Sequence, residues 1–183
     1  MPTLFTHPVA PFAARLALGP GWVPGRLLAA AVAFSLLPDL DVLAFSFGLP
    51  YGHVFGHRGF FHSLPFAALA ALATAFLGRG LGAGRQTAFG VLFAAMASHG
   101  LLDAMTDGGK GIALLSPFTN TRYFLPWRFI PVSPLGAERF FTERGLRVLT
   151  DEFWRLWVPV MAGAAVLGLG RWIGERGARR GGR

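Results

Sequence analysis

The sequence predicts an all-α protein, a polytopic membrane helix bundle of four to five helices with a metal site at one end. Three observations predict it. The chain of 183 residues is 53% hydrophobic and only 14% charged, with a mean hydropathy of +0.49, whereas a soluble globular chain is about a quarter charged. Its apolar residues gather into five stretches divided by Gly-, Pro- and Arg-rich punctuation. The few polar residues that border those stretches are of the kinds that ligate metal. A soluble helical protein with a large core is the competing reading of the composition.

The first stretch runs from Pro8 to Leu18 and is closed by Gly19-Pro20-Gly21; it is too short to cross a bilayer alone. The second runs from Leu27 to about Leu43, the third from Ser63 to Leu77, the fourth from Gln86 to about Met105, and the fifth from Phe153 to Ile173. A spanning helix needs about 20 residues, which the last two reach and the second and third approach. Alanine and glycine recur, as in Ala67 to Ala75 and Ala162 to Gly170. Such small residues either let helices approach closely in lipid or serve as helix-compatible filler.

Between Thr106 and Glu152 the pattern breaks. Pro117, Pro126, Pro131 and Pro134 exclude a long helix, and Phe118, Tyr123, Phe124, Trp127 and Phe129 alternate with Arg122 and Arg128. The expectation is an ordered loop over 106–152 at the membrane surface, where Trp and Tyr prefer to sit, with a short helix around Ala137 to Leu149. Residues 1–175 then form a single integral membrane domain and 176–183 a basic, solvated tail. The N-terminal MPTLFTHPVAPFAARLAL has no basic residue before its apolar run and no small-residue cleavage site, so it is expected to be retained.

Cysteine is absent, so any metal must be held by imidazole and carboxylate, which suits zinc, manganese or iron. The formal net charge of +8 is nearly all arginine. Because these arginines lie between and after apolar segments, they read as topology signals and no nucleic-acid partner is expected.

His7 precedes the first stretch, Asp39 and Asp41 close the second, His57 and His62 precede the third, and His99 and Asp103 lie near the end of the fourth. If the stretches alternate up and down, all seven converge on one end of the bundle. His99 and Asp103, four apart, share a helical face. Asp39 and Asp41, two apart, would point about 200° apart on a regular helix; either a helix end turns both inward, or one ligates and the other braces a histidine. Ionisable groups at membrane depth cost a few kcal/mol and are functional candidates by default. His53 is the weakest histidine, in a Gly/Pro loop without paired spacing. Arg58 reads as an anion clamp, since a guanidinium matches phosphate geometry, or as ordinary loop charge.

Taken in order, Pro38-Asp39-Leu40-Asp41, His57-Arg58-Gly59-Phe60-Phe61-His62-Ser63 and Ser98-His99 to Asp103-Ala104-Met105-Thr106 resemble the YdjM-like family. Its members are bacterial inner-membrane proteins described as LexA-binding, membrane-bound, metal-dependent hydrolases. His7, Leu115-Ser116-Pro117-Phe118 and Phe129-Ile130-Pro131-Val132-Ser133-Pro134 also look like its pattern, which covers about residues 5 to 135. One departure is Phe61, where a threonine is expected. The His-xxx-Asp pair is also similar to that of zinc-dependent phospholipases C, an analogy of site alone.

The resulting expectation is a multi-pass inner-membrane hydrolase with one or two divalent ions, zinc first, that lower the pKa of a bound water and polarise an ester or phosphoryl oxygen. His7, His62, His99 and Asp103 are the leading ligands. Asp39 and Asp41 are further ligands or the general base, His57 a ligand or proton carrier, and Arg58 an anion holder. Arg58, Arg122 and Arg128 suit a phosphoester, and a site opening at headgroup level suits a small-molecule or lipid-like substrate. A metal carrier would need ligands at more than one depth, and a membrane-anchored regulatory partner would tolerate their loss. For orientation, nine arginines (15, 26, 79, 85, 171, 176, 179, 180 and 183) fall in short turns and one tail away from the site, against eight basic residues (58, 110, 122, 128, 139, 144, 147 and 155) in longer segments at the site end. The positive-inside rule weights short segments, so the site is expected on the non-cytoplasmic face.

Overall fold

The computed structural model describes residues 1–78, 80–133 and 142–181. Arg79, Pro134, the Ala137 end of the expected short helix, Arg139 and Arg183 fall outside them. Among the described residues the architecture is all-helical: α1 (Val9–Leu18), α2 (Gly25–Leu36), a 3-10 helix (Leu37–Phe47), a 3-10 turn (Phe60–His62), α3 (Leu64–Leu77), α4 (Arg85–Ala104), α5 (Glu143–Glu152), a π-helical turn (Phe153–Trp157) and α6 (Val158–Gly181). Three continuous helical segments are long and apolar enough to cross a membrane: Gly25–Phe47, Arg85–Ala104 and Glu143–Arg179.

Helices α2, α3 and α4 form the central bundle. Its core joins Val23, Leu27 and Ala31 to Ala71, Ala75, Ala88, Val91, Leu92 and Ala95. Ala67, Ala71 and Ala75 recur every four residues on α3 and are all buried, so the small side chains make one seam. On the other side α1 packs chiefly on α6. There Gly168 passes so close to the Leu16 carbonyl that a Cβ would stand 2.6 Å from its oxygen. A second core of Val9, Leu102, Ile130 and Leu156 sits under the site end.

The second apolar stretch is not one α-helix. Pro38 lacks an N–H and its ring crowds the preceding turn, and at this point α2 gives way to an 11-residue 3-10 helix, long for its type. Gly48, at φ 74°, closes it, its N–H meeting the carbonyls of Ala44 and Phe45. The third stretch starts one residue later than its apolar limit, because Ser63 is the cap: its hydroxyl accepts from the Phe66 N–H at 3.2 Å.

The last stretch extends beyond its apolar limits at both ends. Thr142 caps α5, its hydroxyl accepting from the Gly145 N–H at 3.4 Å, and the helix continues through the π turn into α6. The tail expected to be solvated and irregular is helical as far as Gly181; alanine and arginine are good helix formers, and Arg176 lies 3.7 Å over the Trp172 ring. The segment after α4 is irregular but tied down. Isolated bridges join Thr106 to Ile130 and Ile112 to Tyr123, and the Leu64 N–H donates to the Leu114 carbonyl at 2.9 Å.

Candidate metal centre

The start of α1, the 3-10 helix after α2, the turn before α3 and the end of α4 meet at one end of the bundle. Four side chains, Asp39 from the 3-10 helix, His62 from the turn before α3, and His99 and Asp103 from α4, offer ligand atoms within 4.8 Å of one another. His99 Nε2 lies 3.4 Å from Asp39 Oδ1 and 3.9 Å from Asp103 Oδ2. His62 Nε2 lies 3.7 Å from Asp39 Oδ1 and 3.4 Å from Asp103 Oδ2.

These separations are informative because they are poor as hydrogen bonds. All four atoms are buried and lack a hydrogen-bond partner, a costly state for polar groups. Around a tetrahedral zinc with bonds of 2.0–2.2 Å, neighbouring donors stand about 3.3–3.6 Å apart. The donor set of two imidazoles and two carboxylates, its spacing and its unsatisfied atoms therefore fit a divalent ion.

Each ligand atom is aimed by something behind it. His99 Nδ1–H donates to the Ser35 carbonyl at 2.8 Å, which fixes the tautomer and turns Nε2 inward. That carbonyl is open to His99 because its partner in a 3-10 ladder would be the N–H of residue 38, and proline has none. His62 presents Nδ1 to Asp41 Oδ2 at 3.0 Å while Nε2 faces the cluster. Asp41 is held in turn by His57 Nδ1 at 2.6 Å and by the Arg58 N–H at 3.1 Å. In a 3-10 helix residues two apart are about 240° apart, so Asp39 and Asp41 serve different faces. Asp41, His57 and His62 also form a second compact group of potential ligands, but its contacts have hydrogen-bond lengths. Gly100, beside His99, lets α4 press against this turn; a Cβ there would stand 2.8 Å from the His62 carbonyl oxygen.

His7 is fully buried and stacks on His99 with ring centroids 3.7 Å apart. Its Nε2 is 3.6 Å from Asp39 Oδ2, and neither ring nitrogen has a hydrogen-bond partner. Burial, and then the adjacent His99, pull its imidazole down to about 3, which keeps it neutral. Burial alone would lower His62 too, but the surrounding carboxylates of Asp103, Asp39 and Asp41 hold it well above the ordinary histidine value.

Arg58 departs from the role of an anion clamp. It is buried, with a left-handed backbone at φ 64°, and points inward. Its terminal nitrogens donate to the Gly108 carbonyl at 3.0 Å, the Thr106 hydroxyl at 3.1 Å and Asp103 Oδ1 at 3.4 Å, and Nε lies 3.3 Å from Asp103 Oδ2. It positions a carboxylate. Arg122 is similarly engaged, donating to the carbonyls of His57 and Tyr51 at 3.1 and 3.0 Å. His53 is exposed and accepts from the Phe55 N–H, away from the cluster.

Three supports escaped sequence reasoning. The Ser35 carbonyl carries no signature in sequence, and Thr106, although it closes the motif that follows Asp103, gives no sign there that its hydroxyl meets Arg58. Glu152 does carry one, as an acid at the edge of an apolar stretch. It is buried and accepts from the N–H and hydroxyl of Thr3 and, at 2.6 Å, from the hydroxyl of Thr6, fastening the segment that carries His7.

Fold and site together define a polytopic helical membrane protein with a buried Asp/His group able to hold a metal ion. The chain belongs to the YdjM inner membrane protein family, which it matches over residues 1–176. It is similar to the inner membrane protein YbcI of Escherichia coli strain K12, at 44% identity over 162 residues, covering 88% of this chain and 94% of that one. No solved structure matches it.

Proposed function

We propose that this protein is a membrane-bound, metal-dependent hydrolase acting on a phosphoester or lipid-like substrate, with zinc held by Asp39, His62, His99 and Asp103. The observation that carries the metal is the set of four buried, unpartnered donor atoms at coordination spacing. Bound there, a divalent ion supplies Lewis acidity and a nucleophilic water near neutral pH.

The chain's own residues do the rest. Asp41 holds the His62 ring from behind, with His57 as its own brace, and Arg58 fixes the Asp103 carboxylate. His7 closes the side next to His99 and stands ready as a further ligand. Of the four ligand side chains only Asp39 has any surface exposure, 6% against none for the others, so the shortest way in from the surface runs past it, with its two oxygens buried at the inner end. Asp39 is then the group placed to accept a proton there. A carrier needs ligands at several depths, whereas these donors share one end of the bundle.

The test is elemental analysis of detergent-purified protein, followed by a screen of phosphoester and lipid substrates. The expected result is about one or two equivalents of a transition metal, largely lost from a His99→Ala, Asp103→Ala double variant that still inserts. Turnover should fall by orders of magnitude in Asp39→Ala. Full metal content in the double variant refutes the site; metal without turnover of any such ester refutes the hydrolase.

A further inference from the structure

Between α1 and α6 runs a groove of about 520 Å³ that extends from Trp157 towards the end of the bundle opposite the candidate metal centre. Its walls are Phe12, Leu16, Trp157 and Met161, and its other end carries Arg15 and Arg171. We propose that it binds an anionic glycerophospholipid, with the phosphate between the two guanidiniums and one acyl chain along the apolar walls. This inference is independent of any reaction at the metal centre.

Three observations point to that occupant. The first is charge. Arg15 commits one terminal nitrogen to the Val23 carbonyl. Arg171 commits Nε to the Ala17 carbonyl at 3.2 Å and one terminal nitrogen to Glu175 at 2.6 Å. Among the described residues their remaining donors have no partner, and the pair outweighs Glu175 by one positive charge. Guanidinium forks suit phosphate oxygens.

The second is that the position of Arg171 is built. Gly19, at φ 83°, leaves bare backbone beneath the guanidinium; a Cβ there would stand 2.4 Å from its terminal nitrogen. Any other residue at this turn would displace the cation.

The third is depth. Trp172 adjoins Arg171 and Trp22 follows the Gly19 turn, and both are exposed, as expected of tryptophans at the headgroup layer. The walls below, Phe12 and Leu16, are about two-fifths exposed on a face where only lipid chains would meet them. A groove that is apolar along its length and cationic only at headgroup depth matches the polarity of a single phospholipid.

Native mass spectrometry of the purified full chain, mixed with phosphatidylglycerol or with phosphatidylcholine of the same acyl chains, tests this. The expected result is phosphatidylglycerol retained at least fivefold over phosphatidylcholine, with inorganic phosphate at millimolar concentration displacing little of it. An Arg15→Gln, Arg171→Gln double variant should lose the preference. Because Arg171 also ties α6 to α1, Leu16→Trp is the companion variant: it leaves both arginines, fills the groove, and should reduce retention to a similar degree. Equal retention of the two lipids by the wild type, ready displacement by phosphate, or wild-type retention by Leu16→Trp would each overturn the proposal.

Discussion

Arg58 concentrates several demands in one residue. Its left-handed backbone costs on the order of 1–2 kcal/mol for a bulky side chain. In return the chain reverses so that the Arg58 N–H reaches Asp41 while the guanidinium reaches Asp103. Lysine would keep the charge and lose the fork. Arg58→Lys should therefore insert normally but bind metal about 10–100-fold more weakly, the usual penalty for removing a group that braces a ligand. Competition against a chelator of known affinity measures this, and unchanged affinity would mean the guanidinium merely fills space. At this scale the residues of the cluster were legible, since seven metal-ligating side chains border the apolar stretches. Their roles were not. The role of Arg58 depends on a positive φ, and the division between Asp39 and Asp41 depends on a 3-10 helix, neither of which periodicity reveals.

Helical elements were read most securely where lipid or core imposes a long apolar run, as in α4, whose limits differ from the apolar stretch by one residue at each end. Reading failed where a polar interaction sets the limit. The short helix expected around Ala137 to Leu149 overlaps α5, but not its end at Glu152, which hydropathy does not reveal; Thr142 caps α5, and Val148 and Glu152 face inward. The expected basic tail is helical because a helix leaving the membrane has no reason to stop at its last apolar residue. Glu152 gives this part of the chain a testable task. Replacing it with alanine removes the acceptor of three hydrogen bonds and leaves the Thr3 and Thr6 donors without their carboxylate. Each hydrogen bond to a charged group is worth about 1.5–3 kcal/mol. Glu152→Ala should lower the thermal midpoint in detergent and weaken metal binding through His7, and Glu152→Gln should recover part of both. A normal midpoint and normal metal affinity in the alanine variant would show that the N-terminal segment holds itself in place.

On the scale of the whole molecule, the basic residues divide between the two ends of the bundle. At the site end Arg58 and Arg122 are engaged with a buried carboxylate or backbone carbonyls; at the other end Arg15 and Arg171 also donate to backbone carbonyls. Arg15, Arg26, Arg85, Arg171, Arg176 and Arg179 gather at the other end. The prediction from the positive-inside rule is that this end and the C-terminus lie in the cytoplasm. A fluorescent reporter fused after Arg183 should be bright and an alkaline phosphatase fused there inactive; the reverse result would put the metal centre on the cytoplasmic face. The tie between Thr3 and Glu152 also has a consequence for how the molecule is made. The two residues are 149 positions apart, and at about 5–20 residues per second the ribosome delivers the second roughly 7–30 seconds after the first. During that interval His7 is already synthesised and its anchor does not yet exist. The four donors of the centre are all present once Asp103 has emerged, well before Glu152. Metal capture can thus precede the final locking of the N-terminal segment, and an ion arriving early would meet a pocket still open on the side that His7 later closes.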